Sequence, residues 1–360
     1  MNSVPARGVL RIRWLLIAAA FGILVVFLGV WLNAQTRPLR FALPMNLPEE
    51  PAESRTTLGW PGPSGWPASA YLALEFGRHR GLVAEVQPSF RVAGKGAVAS
   101  LRDGTVDAAY SFAPPVVHAI AEGGDDLVVA GVVMRSYDQV RLFVSAEHVD
   151  DWHRGNIAVT KGTILESQVL AHLRAIGKLD QIGNGGVNLV HIERPESMFF
   201  VLMNRLVETS AMPAVYGVFL EQQQQSSDNP EFIDITIPRL YRSNGFILTT
   251  RDSLRKHHGR MIEMLRAYRD YGEFVAARPD EALKQMLALE AAGTPIDPDA
   301  ASDTAWRPQD FILLTDHKEI RAILEAEAQL RIDGHALEVM PDFEPALSEL
   351  DEISAALAAS

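Results

Sequence analysis

The chain has 360 residues, 48% hydrophobic and 22% charged, a length that suits about two domains and a balance that suits packed ones. It has no cysteine, which excludes a disulfide framework, a thiolate metal site, a cysteine nucleophile and a lipid-attachment cysteine. Net charge is -12, and the first 40 residues hold five arginines and no acid. The rest is more acidic still and would repel a phosphate backbone, so no nucleic-acid partner is expected.

The first element in chain order is apolar. Trp14 to Leu32 is 19 consecutive residues without a charge, enough for a hydrocarbon core ~30 Å thick, with tryptophan at each end where interfacial aromatics belong. Arg7, Arg11 and Arg13 precede it. The positive-inside rule then leaves residues 1–13 in the cytoplasm and carries the remainder across the membrane. The residues leave two readings open, a retained anchor and a cleaved signal peptide; the poor cleavage site and the length of the run favour the anchor.

Residues 33–54 contain Pro38, Pro44, Pro48 and Pro51 among acids, the composition of a semi-extended linker. One strand-like piece, Leu39 to Leu43, lies within it and could join a sheet or extend the tether; Thr56 to Trp60 is the favoured first strand. Short β-rich runs then alternate with helical periodicity, the signature of parallel α/β units. Expected are a helix from Pro67 to Arg78, a strand from Ala84 to Phe90, a helix around Ala97 to Arg102, a strand from Val106 to Ser111, a helix around Val116 to Ala121, and a continuously apolar buried strand from Leu127 to Val133.

A second series follows: strands at Val140–Ser145, Ile157–Thr160, Val187–Ile192, Val207–Met212, Phe232–Ile237 and Phe246–Thr250, with helices at Ile164–Ile176, Glu196–Arg205 and Val215–Gln222. From Leu254 onward the pattern is mostly helical. The stretch Leu101–Ala109, a helix end opening a strand, is echoed in plan by Leu202–Ser210, each followed by a proline turn at Pro114 or Pro213. Arg205 stands where the first copy has a glycine suited to a left-handed cap. The expected architecture is α/β with two lobes: a first lobe from 55–139 and 246–360, which includes the C-terminal helices, and a second over 140–245, with hinge strands at Val140–Ser145 and Phe246–Thr250.

An ordered set of motifs resembles one family. Leu58-Gly59-Trp60-Pro61, Tyr71 to Gly77 with Gly81-Leu82, Leu101 to Ala109 with its Gly-Thr-Val-Asp core, Ala113-Pro114-Pro115, Val159 to Thr163 and Ala211-Met212-Pro213 together look like the type II periplasmic substrate-binding proteins of nitrate, sulfonate, taurine and thiamine-pyrimidine-precursor ABC importers. The resemblance spans about residues 55 to 280. It implies a two-lobe type II periplasmic-binding-protein fold and a periplasmic location; the family usually has a cleaved leader or lipid anchor, whereas here the transmembrane segment 14–32 precedes the fold and either tethers it to the inner membrane or is cleaved so that the body is secreted. It also implies capture of a small organic anion or heterocycle, and delivery to an ABC permease and its ATPase. A membrane-anchored ligand-sensing or scaffold module, or a biosynthetic enzyme on the same fold, are the other readings, because fold alone does not decide function.

Candidate ligand contacts lie in turns at strand carboxyl ends, where helix N-termini expose unpaired N–H groups. Trp60, Ser64 and Trp66 belong to a Pro-Gly-rich turn able to stack on a planar ligand or simply to pack at the rim. Lys95 and Gly96 precede a helix and offer charge and close backbone approach, or form a plain surface turn. Ser111 and Phe112 end a strand, facing the cleft by resemblance or packing in the core. Thr163 starts a helix, with Glu166 at capping-box spacing, so ligand contact and ordinary capping are both open. Tyr137 and Met212 are weaker candidates. No catalytic residue, metal or cofactor is predicted. His148 and His153 match no helical metal pair, His257-His258 has no partner carboxylate pattern, and Gly62-Pro63-Ser64-Gly65 lacks the spacing of a nucleophile elbow. The acidic stretch His335 to Ser360 reads as a packed terminal helix or a partner-docking one.

Overall fold

The computed structural model describes residues 39–43, 73, 76–77, 79–80, 86–90, 94–137, 139–193, 197–224, 230–282, 284–285 and 310–359. The apolar segment Trp14–Leu32, the linker apart from Leu39–Leu43, the expected strand Thr56–Trp60 and most of the helix Pro67–Arg78 lie outside them. Among the described residues no helix is long and apolar enough to cross a membrane.

The strands in chain order are β1 Leu39–Leu43, β2 Val86–Phe90, β3 Ala108–Phe112, β4 Leu127–Tyr137, β5 Val140–Ser145, β6 Asn156–Val159, β7 Asn188–His191, β8 Thr209–Pro213, β9 Phe232–Asp234, β10 Arg242–Thr250 and β11 Asp310–Leu314. The helices are α1 Gly94–Arg102, α2 Ala113–Ala121, α3 Ile164–Ala175, α4 Ser197–Met203, α5 Ala214–Gln224, α6 Arg251–Ala277, α7 His317–Asp333, α8 Glu344–Leu347 and α9 Leu350–Ala358.

Two sheets result. The first runs β11-β4-β10-β3-β1-β2 and the second β7-β6-β8-β5-β9. Each follows one plan: three parallel strands, β2-β1-β3 or β7-β6-β8, and then an antiparallel strand, β10 or β5. Those antiparallel strands are the ones that enter from the other sheet. The chain crosses once between β4 and β5 and returns between β9 and β10. Both strands expected to follow the crossings exist, and the second starts four residues earlier than the sequence suggested.

The continuous apolar run of β4 is accounted for by burial on both faces, Leu127 to Met134 being buried throughout. One face meets a cluster with Val116, Val117, Ile120, Phe246, Leu324 and Leu347. The other belongs to a cluster shared with Tyr110, Met264, Leu265 and Tyr271. Helix starts follow their caps: the Thr250 hydroxyl accepts from the Ser253 N–H at 3.2 Å, and Asp316 accepts from the Glu319 N–H at 2.8 Å.

Four expectations change. Leu39–Leu43 is a strand of the first sheet, paired in parallel with β2 along its length and with β3, so of the two open readings the strand-like piece joins a sheet and those five residues are not linker. Gly94, Lys95 and Gly96 form the first turn of α1 and do not precede it. β11, which pairs with β4, interrupts the stretch after Leu254 that was expected to be mostly helical. His257 does have a carboxylate partner: it is buried at a kink in α6, where its φ is -124°, with Nε2 3.9 Å from Asp107. The terminal stretch is packed, with Leu347, Leu350, Ile353 and Leu357 buried.

Candidate functional site

Parallel strands share direction, so β1, β2 and β3 all end on one edge of the first sheet, and β4, antiparallel to β10 like β3, ends there too. In the second sheet β6, β7 and β8 end on one edge, where β5 begins with Val140 opposite Pro213. The crossing from Tyr137 to Val140 joins these two edges, and the return enters β10 at Arg242, opposite Tyr137. Strand carboxyl ends of both sheets thus meet at the crossings, the position where α/β sheets take ligands.

The best-defined part of that region is the turn after β6. Gly162 has φ +71°, a conformation that glycine adopts without strain. The Thr163 hydroxyl donates to the Thr160 carbonyl at 2.7 Å and accepts from the Leu165 N–H at 3.2 Å. Thr163 therefore caps α3. Glu166 Oε2 accepts from the Gly162 N–H at 2.7 Å, one residue earlier than a standard capping box would have it. Beside it the Thr160 hydroxyl is buried and has no hydrogen-bond partner among the described residues, a group that a polar ligand atom could satisfy. Sequence reasoning passed over Thr160 because it looks like the last residue of a strand.

Glu166 is itself buried and held from two further sides. Arg331 Nη2 donates to Oε2 at 2.6 Å, and His191, at the end of β7, places Nε2 3.4 Å from Oε1. Arg331 comes from α7, 165 residues away, and no local pattern could have announced it.

Tyr137, half-buried at the end of β4, lies beneath two cations: the guanidinium carbon of Arg242 is 5.1 Å from the ring centroid and that of Arg239 5.5 Å. Arg239 holds φ +58°, a left-handed conformation that costs a side-chain-bearing residue roughly 1–2 kcal/mol. The crossing thus holds two guanidiniums against one ring, which the sequence reading of Tyr137 as an aromatic contact did not include.

The remaining candidates divide. Ser111, Phe112 and Met212 are buried near the ends of β3 and β8, and Phe112 stands edge-on to Tyr110 at 5.4 Å. Gly96 lies half-buried in the first turn of α1, and Lys95 is in the same turn. Trp60, Ser64 and Trp66 lie outside the described residues.

His172, buried in α3, ties that helix to the segment after β9. Its Nε2 accepts from the Ile237 N–H at 2.8 Å, so the proton is on Nδ1, which donates to the Gln168 carbonyl at 2.8 Å. Burial holds its pKa below the ordinary 6.5.

Comparison with solved structures matches this two-sheet arrangement. The alkanesulfonate-binding protein SsuA of Xanthomonas axonopodis pv. citri, bound to MOPS, superposes with a TM-score of 0.64 at 15% identity, over 86% of this chain and 97% of its own. The chain has the periplasmic-binding-protein fold. The periplasmic aliphatic sulphonate-binding protein SsuA of Escherichia coli gives 0.61 at 15% identity, with 86% and 97% covered. A cysteine-to-serine variant of DszB in complex with biphenyl-2-sulfinic acid gives 0.53 at 14%, with 89% and 99% covered. No protein-family model and no curated protein matches the sequence. In this fold the turn after β6 and the crossings lie at the strand carboxyl ends of the two sheets.

Proposed function

We propose that this chain is an exported solute-binding protein that captures a small organic anion or heterocycle between its lobes and presents it to an ABC permease driven by a cytoplasmic ATPase. The observation that carries the reading is the meeting of strand carboxyl ends from both sheets at the crossings, with an unsatisfied buried hydroxyl on Thr160 and two guanidiniums over Tyr137. A hydroxyl and paired cations suit a sulfonate or a comparable anionic group. A nitrate ion or a pyrimidine precursor would use the same donors. The chain has no cysteine to offer as a nucleophile.

Export and the periplasmic setting rest on the sequence, through the arginines ahead of Trp14–Leu32. The same segment favours a second reading, in which a retained anchor makes the lobes a ligand sensor for a neighbouring membrane protein. Calorimetric titration of the full chain with alkanesulfonates, nitrate and pyrimidine precursors tests the capture of these solutes. One class is expected to bind saturably with one site per chain, and heats indistinguishable from dilution for all three would remove the ligand assignment.

A further inference from the structure

The two chain crossings are not all that joins the lobes. α7 begins in the first lobe: Ile320, Leu324 and Ala328 are buried in its cluster, and Glu319 pairs with Arg135 of β4 at 2.5 Å. The later turns of the same helix leave that cluster for α3 of the second lobe. There Arg331, 2% exposed, donates to Glu166 at 2.6 Å and to the Ser167 hydroxyl at 3.1 Å. Ser167 donates to Glu327 at 2.5 Å, and Glu327 also accepts from the Tyr241 hydroxyl at 2.8 Å. Tyr241 lies on the returning crossing, one residue before β10.

Two further contacts extend the seam. Arg174 pairs with Asp333 at 2.5 Å, and Gly334, just past α7, lies so close to Leu170 that a Cβ there would stand 2.6 Å from its Cδ2.

We propose that α7 is a third, non-covalent connection that fixes the angle between the lobes and, through Arg331 and Glu166, holds the turn at 160–163 in shape before any ligand arrives. A charged network this buried does not slide: its members lose their partners in a low-dielectric interior or keep them. Rotation of one lobe against the other must therefore break the seam or leave it whole, and packed interfaces of this kind switch between discrete states. The Gly162 N–H is bonded to Glu166, which is bonded to Arg331, so the seam and the turn form one continuous set. The inference rests on the two-lobe geometry and not on any ligand, so its failure leaves the capture reading standing.

The absence of cysteine allows clean labelling. Asp125→Cys and Asp150→Cys place spin labels at exposed positions of the first and second lobes, and pulsed-resonance distances are measured on the detergent-solubilised full chain without added solute. A single narrow distance is expected for the otherwise unchanged protein. With Glu166→Gln and Arg331→Met combined, which removes both charges and keeps bulk, the distribution should broaden and gain a longer-distance population while the far-ultraviolet spectrum stays the same. A broad or two-population distance in the unchanged protein would overturn the proposal whatever the variant does. So would an unaltered narrow distance in a folded double variant.

Discussion

Gly245 shows how one atom decides a position. It sits on β10 opposite Phe112 and Met134, and a Cβ there would stand 2.1 Å from the Tyr110 hydroxyl oxygen and 2.6 Å from Cζ. Tyr110 cannot yield, because it is 1% exposed, edge-on to Phe112, with its hydroxyl on Met134 Sδ at 3.6 Å. Burial also pushes its pKa well above the ordinary tyrosine range. Gly245→Ala is expected to lower stability by about 1–3 kcal/mol, the usual range for overpacking a filled interior. Denaturant midpoints check it against Gly259→Ala, where a Cβ meets nothing within 4 Å and helix propensity should give a gain of roughly 0.5–1 kcal/mol. Equal midpoints for the two variants would mean that Tyr110 has room to move. The sequence showed the glycine but not the tyrosine above it, since that contact spans more than a hundred residues.

Among the elements, those with a local signature were legible and those defined by distant partners were not. Alternating β-rich and helical runs gave most strands and helices of both sheets, because their apolar faces repeat at the period of the structure they form. The strand-like pattern of β1 left a sheet and a tether both open because prolines surround it, and what makes it a strand is pairing with β2 and β3. β11 exists through its pairing with β4. At the candidate site, Thr163 as a cap was legible from its spacing to Glu166, whereas the role of Glu166 depends on α7. That helix–helix seam also carries a pH signature. Burial pushes the Glu327 pKa above the ordinary 4.5, and Arg331, Ser167 and Tyr241 pull the other way without cancelling it. A raised folded-state value means the folded protein keeps a proton that the unfolded chain has released. The stability tied to that proton is complete below the ordinary carboxylate value and is lost as pH climbs through the raised one. Glu327→Gln lacks this slope, so over the pH range upward from the ordinary 4.5 the unchanged protein should lose stability relative to the variant. Urea midpoints at intervals across that range measure the difference, and a difference that grows in the opposite sense would contradict the assigned shift.

At the scale of the whole molecule, the two lobes repeat one plan, down to the helix end before β3 and β8. Gly104 has φ +72° and Arg205 φ +53°, so the arginine adopts the left-handed turn that its counterpart takes as glycine. The sequence echo at these positions was weak in identity because backbone geometry, and not side chain, is what the two copies share. The repetition brings two sets of strand ends to the same crossings, and the account stands or falls on whether a solute touches both. Hydrogen exchange of the full chain, with and without a saturating solute found by titration, tests this most directly. Protection should rise together at 94–98 and 111–114 in the first lobe and at 160–163 and 212–214 in the second, with the opposite strand ends unchanged. Protection confined to one lobe, or none at these four segments, would contradict it.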